Sequence, residues 1–302
     1  MGRKLHAAAV VVCVACALQP LPAERAAARG SLRAVKPGDS GRSVRRLQVR
    51  VAGWFPGSSR RVHFALDGAY GGHTIAAVKA FQRHHGLVAD GIAGSSTMAV
   101  LRRLTDADGS TRHFDWSEFD QNRNASCSAA ANAYAGTFGG GMVSARRAKR
   151  NVRRLMWRLE AARAKGKGAI GINSGFRSVR YNDCIGGARS SQHMYGTAAD
   201  NRMVGVGNHR ERRIARRSQF HGIGCYASLT HNHFDIRMDN PHLPSSRFWW
   251  WPRRDARGRD LDANGRPCWG ERRRGRSPLV SGASQIAAFV RAGEPADLRG
   301  AD

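Results

Sequence analysis

Apolar residues at Val44, Leu47 and Val51 follow the three- and four-residue step of a helix in "SGRSVRRLQVRV", and Ile75, Val78 and Phe81 repeat that step in "IAAVKAFQRHHG". Between and after them stand two echoes, "DGAYGGHT" (67–74) and "DGIAGSST" (90–97), which share the spacing Asp-Gly-x-x-Gly-x-x-Thr. Each echo supplies a turn and then a threonine suited to start the next helix, the second of these being "MAVLRRL". The pattern predicts a three-helix unit over 32–104. Residues 105–143 are small, polar and glycine-rich, and read as a linker with a lead-in segment. Periodicity resumes at Ser144, a suitable cap, with Ala148, Val152, Leu155, Met156, Leu159 and Ala162 on one face beneath arginines. Beyond it "AIGINSGF" (169–176) alternates as a strand does, 208–224 reads as a helix running to a glycine stop, and "THNHFDIRM" (230–238) alternates again. Segregated helices and strands of this kind indicate an α+β domain over 144–252. A charged, glycine-rich extension occupies 253–302, where only "SQIAAFVRA" looks helical.

The first 23 residues combine a basic start, an apolar run and the small-residue exit Leu21-Pro22-Ala23, the pattern of a secretory signal peptide. Cys16 sits in a weak lipobox-like triplet, and simple cleavage is the expectation. No other stretch approaches the ~18 consecutive apolar residues of a membrane-spanning helix. Cleavage leaves Cys127, Cys184, Cys225 and Cys268, an even number in an oxidising compartment, so two disulfides are expected; the three possible pairings are open on spacing alone. A net charge of +28 points to a polyanionic partner. For an exported chain, cell-wall polymers and anionic lipid come before nucleic acid, for which no specific recognition is expected.

Two short stretches carry candidate chemistry. "SSQHMYGTAAD" (190–200) places His193 and Asp200 around Gly196 and three small residues, and "HNHFD" (231–235) places His231 and His233 two apart on a strand, hence on one face. Catalytic zinc is usually held by three histidine or carboxylate ligands with a fourth position open. Either stretch alone is weak, since His-x-His pairs and turns with an acid are common; their conjunction is stronger.

The first module resembles the peptidoglycan-binding domain of cell-wall hydrolases through Gly38-Asp39-Ser40-Gly41, Val44 to Gln48, Asp67 to Thr74, Ala77 to Gln82, Gly86-Leu87 and Asp90-Gly91. The resemblance implies binding to peptidoglycan. Residues 114–251 resemble the zinc D-alanyl-D-alanine carboxypeptidase family, in the larger group that includes lysostaphin and the hedgehog signalling domain. "NSGFRS" (173–178), "GGA" (186–188), Ser191 to Asp200 and His231-Asn232-His233 carry that resemblance. It implies a small antiparallel sheet with flanking helices and one zinc ion held by His193, Asp200 and His233. It further implies His231 as the neighbouring catalytic histidine, Arg177 as the cation for substrate carboxylate or oxyanion, and the disulfides Cys127–Cys184 and Cys225–Cys268.

One departure matters. The family places an acid three residues before the last ligand, as general base, and this chain has Thr230 there. Threonine does not exchange protons near neutral pH, which leaves His231 as the expected base, with Asp235 as an orienting acid and Glu211 as a remote alternative. Tyr181 and Tyr195 are expected to pack more than to line the cleft. The expectation is a secreted, monomeric zinc peptidase acting on the D-Ala-D-Ala end of wall stem peptides. Its rivals are an endopeptidase with the same zinc site, a wall-binding protein without activity, and a nucleic-acid binder suggested by charge alone.

Overall fold

The computed structural model describes residues 34–120, 126–127, 137–226, 229–240, 249–250, 253–257, 259–262 and 265–268. The signal-peptide and Cys16 expectations and the "SQIAAFVRA" segment lie outside them.

Helices α1 (Arg42–Val51), α2 (Gly72–His84) and α3 (Ser95–Arg103) form the first module around Val44, Leu47, Val51, Phe64, Val78, Phe81 and Leu101, all buried. The two sequence echoes prove to be one hydrogen-bonded device used twice. In the first, Gln48 Nε2 donates to Asp67 Oδ1 (2.7 Å), Ala69 O (3.0 Å) and Thr74 Oγ1 (3.1 Å), while Gly68 N donates back to Gln48 Oε1 (2.8 Å). In the second, Gln82 bonds Asp90, Ile92 O and Thr97 at 2.7, 3.0 and 3.1 Å and receives Gly91 N at 2.9 Å. A buried amide that satisfies both of its ends in this way fixes the turn to the helix before it. Thr74 and Thr97 therefore serve the glutamines and do not cap; the helices begin two residues earlier, with no side-chain cap.

The stretch read as a linker is not a spacer in its described part. Asp115 and Glu118 form a capping box around α4 (Trp116–Phe119), and Phe114, Trp116, Phe119 and Phe138 enter the core of the following domain. That core lies between α5 (Ala145–Gly166) and a sheet, and takes in Ile214 and Ala215 of α7 (Asn208–Arg217). Ser144 holds the cap position of α5 without a side-chain bond. The sheet comprises β1 (Ile170–Ser174), β2 (Ala198–Met203), β3 (Gly222–Cys225), β4 (Asn232–Asp235) and β5 (Trp249–Trp250), in the order β1-β2-β4-β3-β5. Its first four members pair antiparallel, and the two-residue β5 adds to β3 in parallel. Helix α6 (Val179–Cys184) lies between β1 and β2, and α7 (Asn208–Arg217) between β2 and β3. The segment read as one helix over 208–224 thus ends at Arg217. Gln219 takes a positive φ of 60° there, and Gly222 to Cys225 turn back as strand. Short strands β6 (Arg253–Arg254) and β7 (Asp260–Leu261) form a separate pair.

Cys127 is joined to Cys184, and Cys225 to Cys268. Among the described residues no helix is long and apolar enough to cross a membrane.

Candidate metal centre

Sheet register assembles the site. Asp200 on β2 lies directly opposite His233 on β4, with Ser174 on the far side of Asp200 and Gly224 on the far side of His233. Directly opposed residues point to the same face, so Ser174, Asp200 and His233 form one row. Gly224, opposite His233 on β3, adds no side chain to the row. Two residues along β4, Asp235 lies between Ala198 and Gly222, and a Cβ on Gly222 would collide with the Asp235 carboxylate. The other face carries Ala199, Ile223 and Phe234 into the core beneath α5.

His193 comes from a tight turn, Gln192–Tyr195, that ends on Gly196 with φ 69°. A Cβ on Gly196 would approach Ala148 O to 2.7 Å, so the turn packs against α5 only because that position is glycine. Gly175 of "NSGF" serves the same end, since a Cβ there would stand 2.5 Å from the Cα of Phe119. Its carbonyl oxygen accepts from His193 Nδ1 at 2.6 Å.

Three atoms converge: His193 Nε2 and His233 Nδ1 are 3.2 Å apart, and Asp200 Oδ1 lies 3.4 Å from the first and 3.0 Å from the second. The outward nitrogen of each ring fixes its tautomer. A carbonyl can only accept, so Nδ1 of His193 carries a proton and Nε2 presents a lone pair. Likewise His233 Nε2 faces the Asp235 carboxylate at 3.1 Å and donates to it, leaving Nδ1 as a lone pair. Two lone pairs and a carboxylate oxygen pointing at one another repel unless a cation lies between them, so this donor set fits a zinc-type ion.

Charges around the centre agree. Burial, helped by Arg177, pushes His193 down to about 4, which keeps the ring neutral. Burial alone would raise Asp200, but the facing imidazoles of His193 and His233, whenever they carry a proton, and the Arg177 guanidinium hold it well below the usual carboxylate range. His233 is raised: burial opposes this and the flanking carboxylates of Asp200 and Asp235 outweigh it, so proton and metal compete for the ring. Asp235 is fully buried and held low, against the pull of burial, by Arg237, which bonds it through Nη2 at 2.6 Å and through its backbone N–H at 2.9 Å.

The remaining candidates separate. Arg177 donates to Asp200 Oδ2 at 2.7 Å and to Ser174 Oγ at 2.9 Å, so its geometry acts on Asp200. His231 is buried beside the triad; burial is the main cause that brings it down to about 4. Its Nδ1 lies 3.4 Å from Asn173 Nδ2, Tyr226 packs edge-on against the ring, and Nε2 has no partner among the described residues. Asp235 orients His233 and not His231. Glu211 is no base in waiting: it is fully buried on α7, accepting from Arg202, Met203 N and Asn232, and it ties that helix to the sheet. Tyr181 packs with Cys127 and Ile185, and Tyr195 is buried.

Residues 124–235 match the peptidase M15 family and residues 41–101 the peptidoglycan binding domain. The chain is 38% identical over 218 residues to the zinc D-Ala-D-Ala carboxypeptidase of Streptomyces albus G, which covers 71% of this chain and 77% of that protein. The chain belongs to the peptidase M15 family. A second relative, N-acetylmuramoyl-L-alanine amidase CwlL of Bacillus licheniformis, is 39% identical over 87 residues, 28% of this chain and 22% of that protein. All three converging atoms, together with Arg177 and His231, lie inside the span matched to peptidase M15.

This M15 chain carries a second histidine–carboxylate group that its sequence did not disclose. His63 of the first module faces His221 (Nδ1 to Nε2, 3.1 Å) and Asp239 (3.8 Å). Here the cation is already present, because Arg158, fully buried, bonds Asp239 at 2.8 Å. A metal ion would add charge to a pair already neutral, so we read the group as a clamp between the modules. Beside it Gln219 Nε2 donates to Gly57 O (2.7 Å), Ser59 N to Arg216 O (3.0 Å) and Lys165 Nζ to Gly53 O (2.6 Å). The signal that could have found the clamp was weak: His63 lies 158 positions from His221.

Proposed function

We propose that this protein is a secreted, zinc-dependent cell-wall peptidase that removes the terminal D-alanine from D-Ala-D-Ala stem peptides, with its first module holding it on peptidoglycan. The observation that carries the reading is the convergence of two imidazole lone pairs and one carboxylate oxygen inside a peptidase M15 domain. His193, Asp200 and His233 would hold the ion. Zinc bound there supplies Lewis acidity, polarising the scissile carbonyl and making water nucleophilic near neutral pH.

The protein's own residues do the rest. Gly175 O and Asp235 hold the two rings in the tautomers that ligation needs. Arg177 steadies Asp200 and brings a cation close to where negative charge develops on the substrate oxygen. Proton transfer falls to His231. Its ring is neutral, and because the Asn173 amide nitrogen can only donate to Nδ1, the proton sits on Nε2, which has no partner among the described residues and so faces the site as a donor. Thr230 makes no claim on that role.

The assignment is tested with His193→Ala and His231→Ala. The first is expected to lose zinc and activity together. The second is expected to keep one zinc per chain while hydrolysis of a soluble D-Ala-D-Ala peptide falls by about 10²–10⁴. Full activity in His231→Ala would remove it from the mechanism, and bound zinc in a wild-type protein with no hydrolysis of any wall peptide would leave only a binding protein.

A further inference from the structure

Helix α1 of the wall-binding module packs against α5 of the peptidase domain, and both helices carry arginine in rows. Arg42, Arg46 and Arg50 recur at every fourth position of α1, and Arg146, Arg150 and Arg154 do the same on α5. Each step is about 6 Å along the helix. Arg45 adds to the first row and Arg153 to the second. At the crossing the Arg50 guanidinium of α1 lies over the Trp157 ring of α5 at 5.6 Å, while Arg153 Nε donates to Gly109 O at 2.7 Å and ties α5 to the loop after α3. Arg45, Arg46, Arg146 and Arg150 are exposed.

The charges here oppose one another. Apart from burial, the influences on Arg154 are repulsion from Arg45, Arg150 and Arg147 and attraction from Asp239 alone, and Asp239 is already bonded to Arg158. Arg50 is lowered by burial first and then by Arg153 and Arg46, with no acid acting the other way. Neither helix has an acid in its first turn, where the backbone dipole favours one. The fold therefore keeps a group of cations together at a cost that an anionic partner would offset.

We propose that this arginine face, shared by the two domains, binds a phosphodiester polymer of the cell wall. The guanidinium fork matches phosphate oxygens in paired hydrogen bonds, and arginine outnumbers lysine 44 to 6 in this chain. Because the rows belong to both domains, one polymer strand laid across them engages the anchoring module and the peptidase together. Nucleic acid offers the same phosphodiester chemistry, but one of the two helices belongs to the module matched to the peptidoglycan binding domain, which puts wall polymers within reach. The proposal rests on the wall-directed half of the functional reading and not on the peptidase chemistry.

The test is sedimentation of the full chain with purified walls, before and after hydrofluoric acid has stripped their phosphodiester polymers. Arg45→Gln/Arg46→Gln/Arg150→Gln is compared with wild type, and hydrolysis of a soluble stem peptide checks the fold. Wild type is expected to bind intact walls at least tenfold more tightly than stripped walls, with a preference that shrinks steeply as salt rises. The triple variant is expected to bind both preparations equally and to keep its activity on the soluble peptide. Equal binding of wild type to both walls would overturn the proposal, as would an undiminished preference in the variant. So would displacement of wild type from intact walls by duplex DNA at phosphate concentrations below those of the wall polymer. Failure to hydrolyse the soluble peptide in wild type would instead refute the peptidase reading alone.

Discussion

Replacing Asp235 with Asn tests how the sheet prepares the metal site. Asp235 is fully buried between Ala198 and Gly222, so the nearly isosteric amide fits where the carboxylate was. The carboxylate now accepts from His233 Nε2 at 3.1 Å and from three donors of Arg237 at 2.6–3.1 Å. An amide has one oxygen, and Arg237 will hold it; the NH2 group then faces His233 Nε2. Two donors cannot share that contact, so the ring moves its proton to Nδ1, the atom that should face the metal. Losing an orienting partner of this kind costs ten- to a hundredfold in metal affinity, or about 1.4–2.8 kcal/mol. Stability falls as well, by about 3 kcal/mol, the low end for breaking a buried ion pair, because the Arg237 side chain keeps 13% of its exposure. Competition with a chromophoric chelator measures the first quantity, and urea unfolding of the metal-free protein measures the second. Zinc affinity within threefold of wild type in a folded Asp235→Asn protein would refute the reasoning, since His233 would then need no partner to present Nδ1.

Two further predictions concern the joint between the modules. Gly53→Ala places a Cβ 2.6 Å from that of Ala161 on α5; this overpacking should destabilise by about 1–3 kcal/mol and expose the joint to limited proteolysis, with hydrolysis of soluble peptide unchanged. Burial is the main cause that pushes Lys165 at the joint down to about 7. Its folded value lies below its unfolded one, so the unfolded chain binds more protons between about pH 7 and 10.5. Stability should rise with pH across that window, by at most ~1.4 kcal/mol per unit, and urea unfolding of Lys165→Met should show a flatter profile.

Much of the centre was legible because its parts are local. Gly196 and the small residues after it announced a turn that returns Asp200 toward His193, and the alternation of "HNHFD" placed two histidines on one face. Register then did what spacing could not: it set Asp200 opposite His233 and Ser174 beside it, and so drew Arg177 onto the ligand where a substrate contact was expected. Phe114, Trp116 and Phe119 were hidden in a polar stretch because three aromatics among Asp, Ser and Gly show no period until a core exists for them. The helix boundary at Arg217 was missed because no glycine or proline marks it: the chain turns at Gln219, with a positive φ, three residues before the first glycine. The clamp of His63, His221, Asp239 and Arg158 depends wholly on docking, so no local pattern in the sequence marks its residues.

The central claim is hydrolysis at the D-Ala-D-Ala terminus by a zinc centre. Purified peptidoglycan digested by the full chain, with products identified by mass spectrometry, tests it directly. Free D-alanine should appear, should vanish with chelator and should return with added zinc. Products cut only at interior or cross-linking bonds, or release of D-alanine that chelation does not affect, would contradict it.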